Sequence, residues 1–257
     1  MTLAEQLADP PSQAIALGQA AVLYQRCRDK QAALACANRL IAFAEQHDLS
    51  SRLAMGMVYR GWAVAECGQV QEGLDQLKSG LQAIELTGAV LARPYYLALL
   101  SEVYGKAGQF EESLRVLQEA LVTAHSNEDR FYEAEVWRLQ GEFTLQKFQV
   151  PSSEFRVLES RKSKGKGQKK LSVSSPQPLA SNTQEAEVYF HRAIGIARQQ
   201  QAKSLELRAA VSLGRLWLTQ GKKTQAYQLL DEVYRWFTEG FETADLQEAK
   251  ALLQILY

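Results

Sequence analysis

The stretch Tyr95–Leu121, YYLALLSEVYGKAGQFEESLRVLQEAL, reads as two helices around a turn. Small Ser101 and aromatic Tyr104 stand on the first, Gly108 marks the turn, and small Ser113, Leu117 and Ala120 stand on the second. Small residues let two antiparallel helices approach closely, while large ones fill the gaps beside them. The pattern recurs in both directions along the chain. Ala21, Gly61, Ser101 and Gly141 are 40 residues apart, and Gly214 follows 73 later, an excess of 33. The small position of the second helix holds Ala33, Gly73, Ser113, Ala186 and Ala226. It lies 12 residues after the first marker in four units and 45 after it in the fourth. The excess is again 33, so one insertion in the inter-helix turn of the fourth unit restores a single period.

Other columns keep the register: a bulky one (Tyr24, Val64, Tyr104, Thr144, Trp217) and a late apolar one (Ile41, Leu81, Leu121, Ile194, Tyr234). Gly68, Gly108 and Gly221 stand where a left-handed residue ends the first helix without steric cost. The small–aromatic–glycine–small order is that of a tetratricopeptide (TPR) hairpin. TPR repeats run about 34 residues and HEAT repeats roughly 40–47, so HEAT is the alternative on length alone. The expected fold is all-α: a right-handed TPR-like helical-hairpin solenoid of five 40-residue repeats plus a C-terminal capping helix. Gly61, Gly141 and Gly214 are expected to mark close helix approach, to tolerate alanine as Ala21 shows, and to reject leucine.

The 257 residues are 46% hydrophobic and 23% charged with no net charge, an ordinary soluble composition with enough apolar residues for a continuous core. The span 1–257 is read as a single solenoid, because stacked repeats have no natural boundary. No apolar run approaches the roughly 18 residues of a membrane span. The acidic opening MTLAEQLADPPSQ is unlike a signal peptide, so a cytoplasmic location is expected. Cys27, Cys36 and Cys67 have no paired spacing and read as buried free thiols in a reducing compartment.

Helices are expected at about 12–28, 31–47, 50–67, 70–87, 92–107, 110–125, 128–148, 183–200, 203–220, 223–238 and 244–256. Ser12 is the expected cap of the first. Asp245 and Glu248 have capping-box spacing at the start of the last, which has no hairpin partner and covers the end of the solenoid. Residues 150–182 form the insertion, with seven Lys/Arg against two Asp/Glu. Ser, Gly, Pro and Lys dominate it, and disorder is expected because there is too little apolar surface to offset ordering. Asn182 or Thr183 is the expected cap of the helix that follows.

No residue pattern announces a reaction. Gly165–Lys170 has glycines and lysines but neither the spacing nor the Ser/Thr of a phosphate loop. His47, His125 and His191 have no second ligand at metal spacing. The expectation is a non-enzyme with no cofactor and no metal. The basic insertion lacks interleaved aromatics, which disfavours nucleic acid. Outward positions of the first helices form the expected concave groove: Trp62, Glu66, Tyr95, Glu102, Lys106, Glu135, Arg138, Glu142, Arg208 and Arg215. Mixed charge with Trp and Tyr suits a protein or peptide ligand.

Four segments carry a family resemblance: RGWAVAECGQVQEGLDQLKSG (60–80), RPYYLALLSEVYGKAGQFEESL (93–114), RFYEAEVWRLQGEFTLQ (130–146) and the block from Ala202 to Leu253. They resemble the C-terminal TPR region of large bacterial signalling proteins. Those proteins carry a P-loop ATPase domain upstream, often with a class III adenylate/guanylate cyclase or a kinase domain. The resemblance implies a regulatory solenoid related to the maltose-regulator type. It implies a non-catalytic module for a protein or peptide ligand, or alternatively a fragment that controls an ATPase or cyclase domain in cis or in trans. The catalytic residues of that family have no counterpart in these segments.

Overall fold

A computed structural model describes residues 9–88, 92–149 and 177–257, and among them there are eleven helices and no strand. They are α1 (Pro10–Arg26), α2 (Lys30–Gln46), α3 (Ser50–Glu66), α4 (Val70–Leu86), α5 (Arg93–Lys106), α6 (Phe110–Ser126), α7 (Glu133–Gln149), α8 (Gln177–Gln199), α9 (Lys203–Thr219), α10 (Lys223–Tyr234) and α11 (Ala244–Leu256). Successive helices pack as hairpins, α1 on α2 through α9 on α10, and the odd-numbered helices also touch one another along the stack. The architecture is the expected all-α TPR-like solenoid.

One turn is used again and again. Arg28, Asp48, Gly68, Gly88, Gly108, Glu128, Gln201 and Gly221 each follow a helix with positive φ, between 54 and 100°. After Arg28, Asp48, Gly68, Gly108, Gln201 and Gly221 the next N–H returns to the last helical turn, as in Gln109 N–H to Tyr104 O and Lys222 N–H to Trp217 O, both 2.9 Å. Orphan carbonyls are thereby satisfied. Glycine adopts this turn without strain, whereas Arg28, Asp48, Glu128 and Gln201 hold it at a cost of roughly 1–2 kcal/mol each.

Both small columns are buried at all ten positions. The Ser101 and Ser113 hydroxyls lie 3.0 Å apart, and Ser113 Oγ–H donates to Ser101 O at 2.7 Å. At Gly61 a Cβ would stand 2.6 Å from Leu77 N and 2.7 Å from Gly73 O, so α3 and α4 touch backbone to backbone. At Gly141 it would meet the Phe190 ring of α8 at 2.5 Å, and at Gly214 only Leu252 Cδ2 of α11 at 3.3 Å. The reading that alanine fits everywhere in this column is therefore corrected at Gly61, where no side chain stands in the way to yield. At Gly214 the close neighbour is α11 and not the hairpin partner.

Several expected termini move. The first helix is capped by Asp9, whose side chain accepts from Ser12 N at 3.0 Å, and Ser12 lies inside the helix. Helix α10 stops at Tyr234, short of the expected 238. Helix α8 starts at Gln177, so Asn182 and Thr183 are helix interior and no cap. The rest of the expected insertion, residues 150–176, lies outside the described residues. Helix α11 has Thr243 as its cap position without a side-chain bond. Asp245 and Glu248 make tertiary ion pairs instead of a capping box. Cys27, Cys36 and Cys67 are free thiols but only partly buried, and burial raises the pKa of Cys27 and Cys36.

The glycine geometry yields a graded expectation. Gly61→Ala overpacks two backbones and lowers stability by about 1–3 kcal/mol, despite alanine's better helix propensity. Gly214→Ala, facing one movable leucine, stays within about 1 kcal/mol of the parent. Urea midpoints of the two variants check this. Equal midpoints would contradict the backbone contact at Gly61.

Candidate functional site

The odd-numbered helices present their inward faces to one cavity of about 330 Å³. Gln25 of α1, Arg28 after it, Trp62 and Glu66 of α3, and Glu102, Gly105 and Lys106 of α5 form one side. Glu135, Arg138, Leu139, Glu142, Phe143 and Gln146 of α7, Arg208, Val211, Ser212 and Arg215 of α9, and Asp245 and Glu248 of α11 complete it. No lining residue comes from α2, α4, α6, α8 or α10. Helical periodicity is the reason: positions 3, 4 and 7 apart share a face, and Glu135, Arg138, Glu142 and Arg208, Ser212, Arg215 follow that spacing.

Nine of the ten residues expected in the groove line this cavity. Tyr95 does not. It is 1% exposed, its hydroxyl donates to Gln25 Oε1 at 2.6 Å, and its ring meets Tyr132 edge-on at 4.8 Å. The guanidinium of Arg26 lies over the Tyr95 and Phe131 rings, 5.5 and 5.2 Å from their centroids. Tyr95 is thus a core residue that locks α5 to the end of α1. Sequence reasoning missed Gln25, Arg28, Phe143, Gln146, Ser212, Asp245 and Glu248. The α7 and α9 members share the helical spacing of the expected residues and were within its reach.

The charges form a string of alternating sign. Arg138 grips Glu135 with two nitrogens at 2.7 and 3.0 Å and lies 3.5 Å from Glu142, which also accepts from Ser212 Oγ–H at 2.6 Å. Arg208 reaches Glu135 at 3.4 Å and Asp245 at 2.7 Å, and a third nitrogen donates to the Arg26 carbonyl oxygen. Arg28 continues the string to Asp245 at 3.2 Å and Glu248 at 2.6 Å, and Glu248 ends on Arg215 at 2.6 Å. The end of α1 is thereby joined to α9 and α11, at the far end of the stack, and the inner helices close around the cavity.

These contacts explain the acid–base properties. Burial pushes Glu135 upward, but Arg138 and Arg208 overcome it and hold its pKa down at about 2. The same pairing keeps Arg208 and Arg138 charged against the penalty of burial. Across the cavity, Lys106 Nζ stands 3.2 Å from Glu66. Five cations therefore face six carboxylates, and the one without an ion-pair partner is Glu102. Trp62 Nε1–H donates to Glu102 Oε2 at 2.7 Å. Burial, and next the Glu135 charge, lift the Glu102 pKa to about 7, with Trp62 and Arg138 opposing. Among the described residues no group of three or more His, Cys, Asp and Glu is placed to hold a metal ion. No helix described is long and apolar enough to cross a membrane.

No family model matches the chain. An uncharacterized protein of Rhizobium meliloti (strain 1021) is 27% identical over 103 residues, which is 40% of this chain and 10% of that protein. The chain thus matches only about a tenth of the length of that relative. Among solved structures, a Rap protein complexed with competence and sporulation factor superposes with a TM-score of 0.58 at 11% identity. The match spans 98% of this chain and 66% of that one, just under two thirds of its length. The TPR-like repeats of a kinesin light chain-type protein of Podosopora anserina give 0.52 at 15% identity, over 88% of this chain and 94% of that one. At these identities the likeness shows the fold: the chain has the architecture of TPR-like repeat proteins.

A carboxyl whose pKa is raised on folding is bound to its proton more tightly in the native state. It therefore makes stability fall as pH rises between the unfolded value, about 4.5, and the native value, about 7. Glu102→Gln removes this dependence. The variant is expected to match the parent near pH 4.5 and to exceed it above pH 7 by on the order of 1–3 kcal/mol. Urea midpoints at pH 4.5 and 8 measure it, and a variant less stable at pH 8 would contradict the assignment.

Proposed function

We propose that the chain is a non-catalytic module that binds a short peptide or protein segment in its inner cavity, with a regulatory or scaffolding role in bacterial signalling in the cytoplasm. One observation carries the reading: five helices and the capping helix turn charged and aromatic side chains onto a single cavity of about 330 Å³. That volume lies in the range of ligand sites, with room for a few side chains of a peptide. The Rap protein of similar fold is described with competence and sporulation factor bound, which supports a ligand-binding use of such a solenoid.

The ion pairs say what kind of ligand fits. The deep pairs of Glu135, Arg138 and Arg208 are fixed, since separating either partner leaves a buried charge uncompensated. The rim pairs are weak. Lys106 with Glu66 and Arg215 with Glu248 include cations 41% and 55% exposed, and such pairs hold together by only about 0–1 kcal/mol. A ligand that brings both signs exchanges its own charges for these pairs at little cost. Single-sign ligands leave one rim partner stranded. The preferred ligand is a mixed-charge peptide.

A second reading is that the chain is a regulatory segment of a longer ATPase- or cyclase-linked signalling protein, controlling it in cis. The short match to a relative some ten times its covered length favours this. An ATPase-encoding frame immediately upstream of the gene would support it, and unrelated flanking genes would count against it.

Binding is testable with an array of acidic, basic and mixed-charge ten-residue peptides. Mixed-charge peptides are expected to bind best, and Arg215→Glu is expected to weaken them by about tenfold or more, equivalent to roughly 1.4 kcal/mol. Peptides that bind equally well to the parent and to Arg215→Glu would place the binding surface elsewhere.

A further inference from the structure

Glu102 is the one lining carboxylate that no cation of the cavity answers. Around it stand groups from each inner helix that faces it. Trp62 and Glu66 come from α3, with Glu66 held by Lys106 of Glu102's own helix. Glu135 and Arg138 come from α7 and are committed to each other. Tyr95 and Tyr132 lie behind it in the core. One of its oxygens takes the Trp62 N–H, and the other has no hydrogen-bond donor among the described residues. Phe143 lines the same space, so two aromatic side chains and one carboxylate bound it. This combination matches the apolar stem and charged head of a lysine- or arginine-like group. Trp62 and Phe143 are only 2% and 6% exposed, so the rings back the carboxylate and hold it in place, and it is Glu102 that meets the charged head.

We propose that the floor of the cavity at Glu102, Trp62 and Phe143 is a seat for one cationic group of the ligand, an alkylammonium or alkylguanidinium such as a lysine or arginine side chain. This rests on the cavity being the binding site and specifies its ligand further. The arriving cation completes the charge balance of the cavity, five cations against six carboxylates, by pairing with the sixth. It also moves a proton. A carboxyl poised near pH 7 ionises when the cation arrives, so binding at that pH expels about half a proton per site. The leaving proton goes to the buffer, and no covalent bond changes.

The test uses the full chain with n-butylammonium, n-butylguanidinium and neutral n-pentanol as probes. Binding is followed on the Trp62 indole N–H signal, assigned by its loss in Trp62→Phe. Both cations are expected to shift that signal saturably, with affinity rising from pH 6 to pH 8, and pentanol to bind at least tenfold more weakly. Calorimetry in phosphate and Tris at pH 7 is expected to report a release of about half a proton. Glu102→Gln, an isostere that keeps the fold, should lose the proton release and at least tenfold in affinity for the cations, while its affinity for pentanol is unchanged. Cations that bind Glu102→Gln as well as the parent would overturn the seat. So would a Trp62 signal that no cation shifts.

The peptide array separates the two levels. Mixed-charge peptides that bind equally well with lysine replaced throughout by norleucine remove the seat but keep the cavity reading. Saturable butylammonium binding with no peptide binding keeps the seat and removes the peptide reading.

Discussion

The guanidinium of Arg208 is the contact on which the inner architecture depends. It is 8% exposed, and its three nitrogens go to three elements: Glu135 on α7, Asp245 on α11 and the carbonyl of Arg26 at the end of α1. A planar, always charged group with several donors is suited to such a junction, where a lysine would supply one point charge. Hairpin stacking by itself needs only neighbour-to-neighbour contacts, so a solenoid of this kind can remain open. Here the first hairpin and the last helix are tied together, and a row of inward-facing side chains becomes the wall of a cavity.

Closure also sets the electrostatics. Glu142, Arg138, Glu135, Arg208, Asp245, Arg28, Glu248 and Arg215 alternate in sign around the wall, so the interior of the string is neutralised link by link. Glu102 makes no ion pair in the string, and burial, followed by the neighbouring Glu135 charge, raises its pKa. Arg28 pays for its place in the string with a left-handed backbone, φ 58°, at a turn where later units use glycine. The local strain and the long-range ion pairs are two sides of one choice of residue.

The repeat was legible because side-chain size is a local property that recurs with the period. Ala21, Gly61, Ser101, Gly141 and Gly214 keep their spacing whatever the superhelix does, and all are buried as a column. The groove residues on α3, α5, α7 and α9 followed from counting along each helix. Closure was not legible, since it joins residues 217 and 220 positions apart. Asp245 and Glu248 carry the spacing of a helix cap, and nothing within the last helix reveals that they face Arg28 and Arg208 instead. Tyr95 sits at an outward position by count, yet the curl of the stack brings Gln25 and Arg26 over it. The turn residues Arg28, Asp48, Glu128 and Gln201 hid for the opposite reason: the sequence marks a left-handed turn only when it spends a glycine there.

The end-to-end tie is the central claim, and a spectroscopic distance tests it most directly. Nitroxides at exposed Asn38 on α2 and exposed Gln254 on α11, in a background with the three cysteines replaced by serine, report the separation of the two ends by electron–electron double resonance. One narrow distance distribution is expected in the parent. Arg208→Met combined with Arg28→Met, which removes the side-chain links from the end of α1 to α9 and α11, is expected to broaden it and shift it outward, whereas Arg208→Met alone leaves Arg28 bound to Asp245 and Glu248 and is expected to change it less. A parent distribution that is already broad, or one that the double variant leaves unchanged, would contradict the closure.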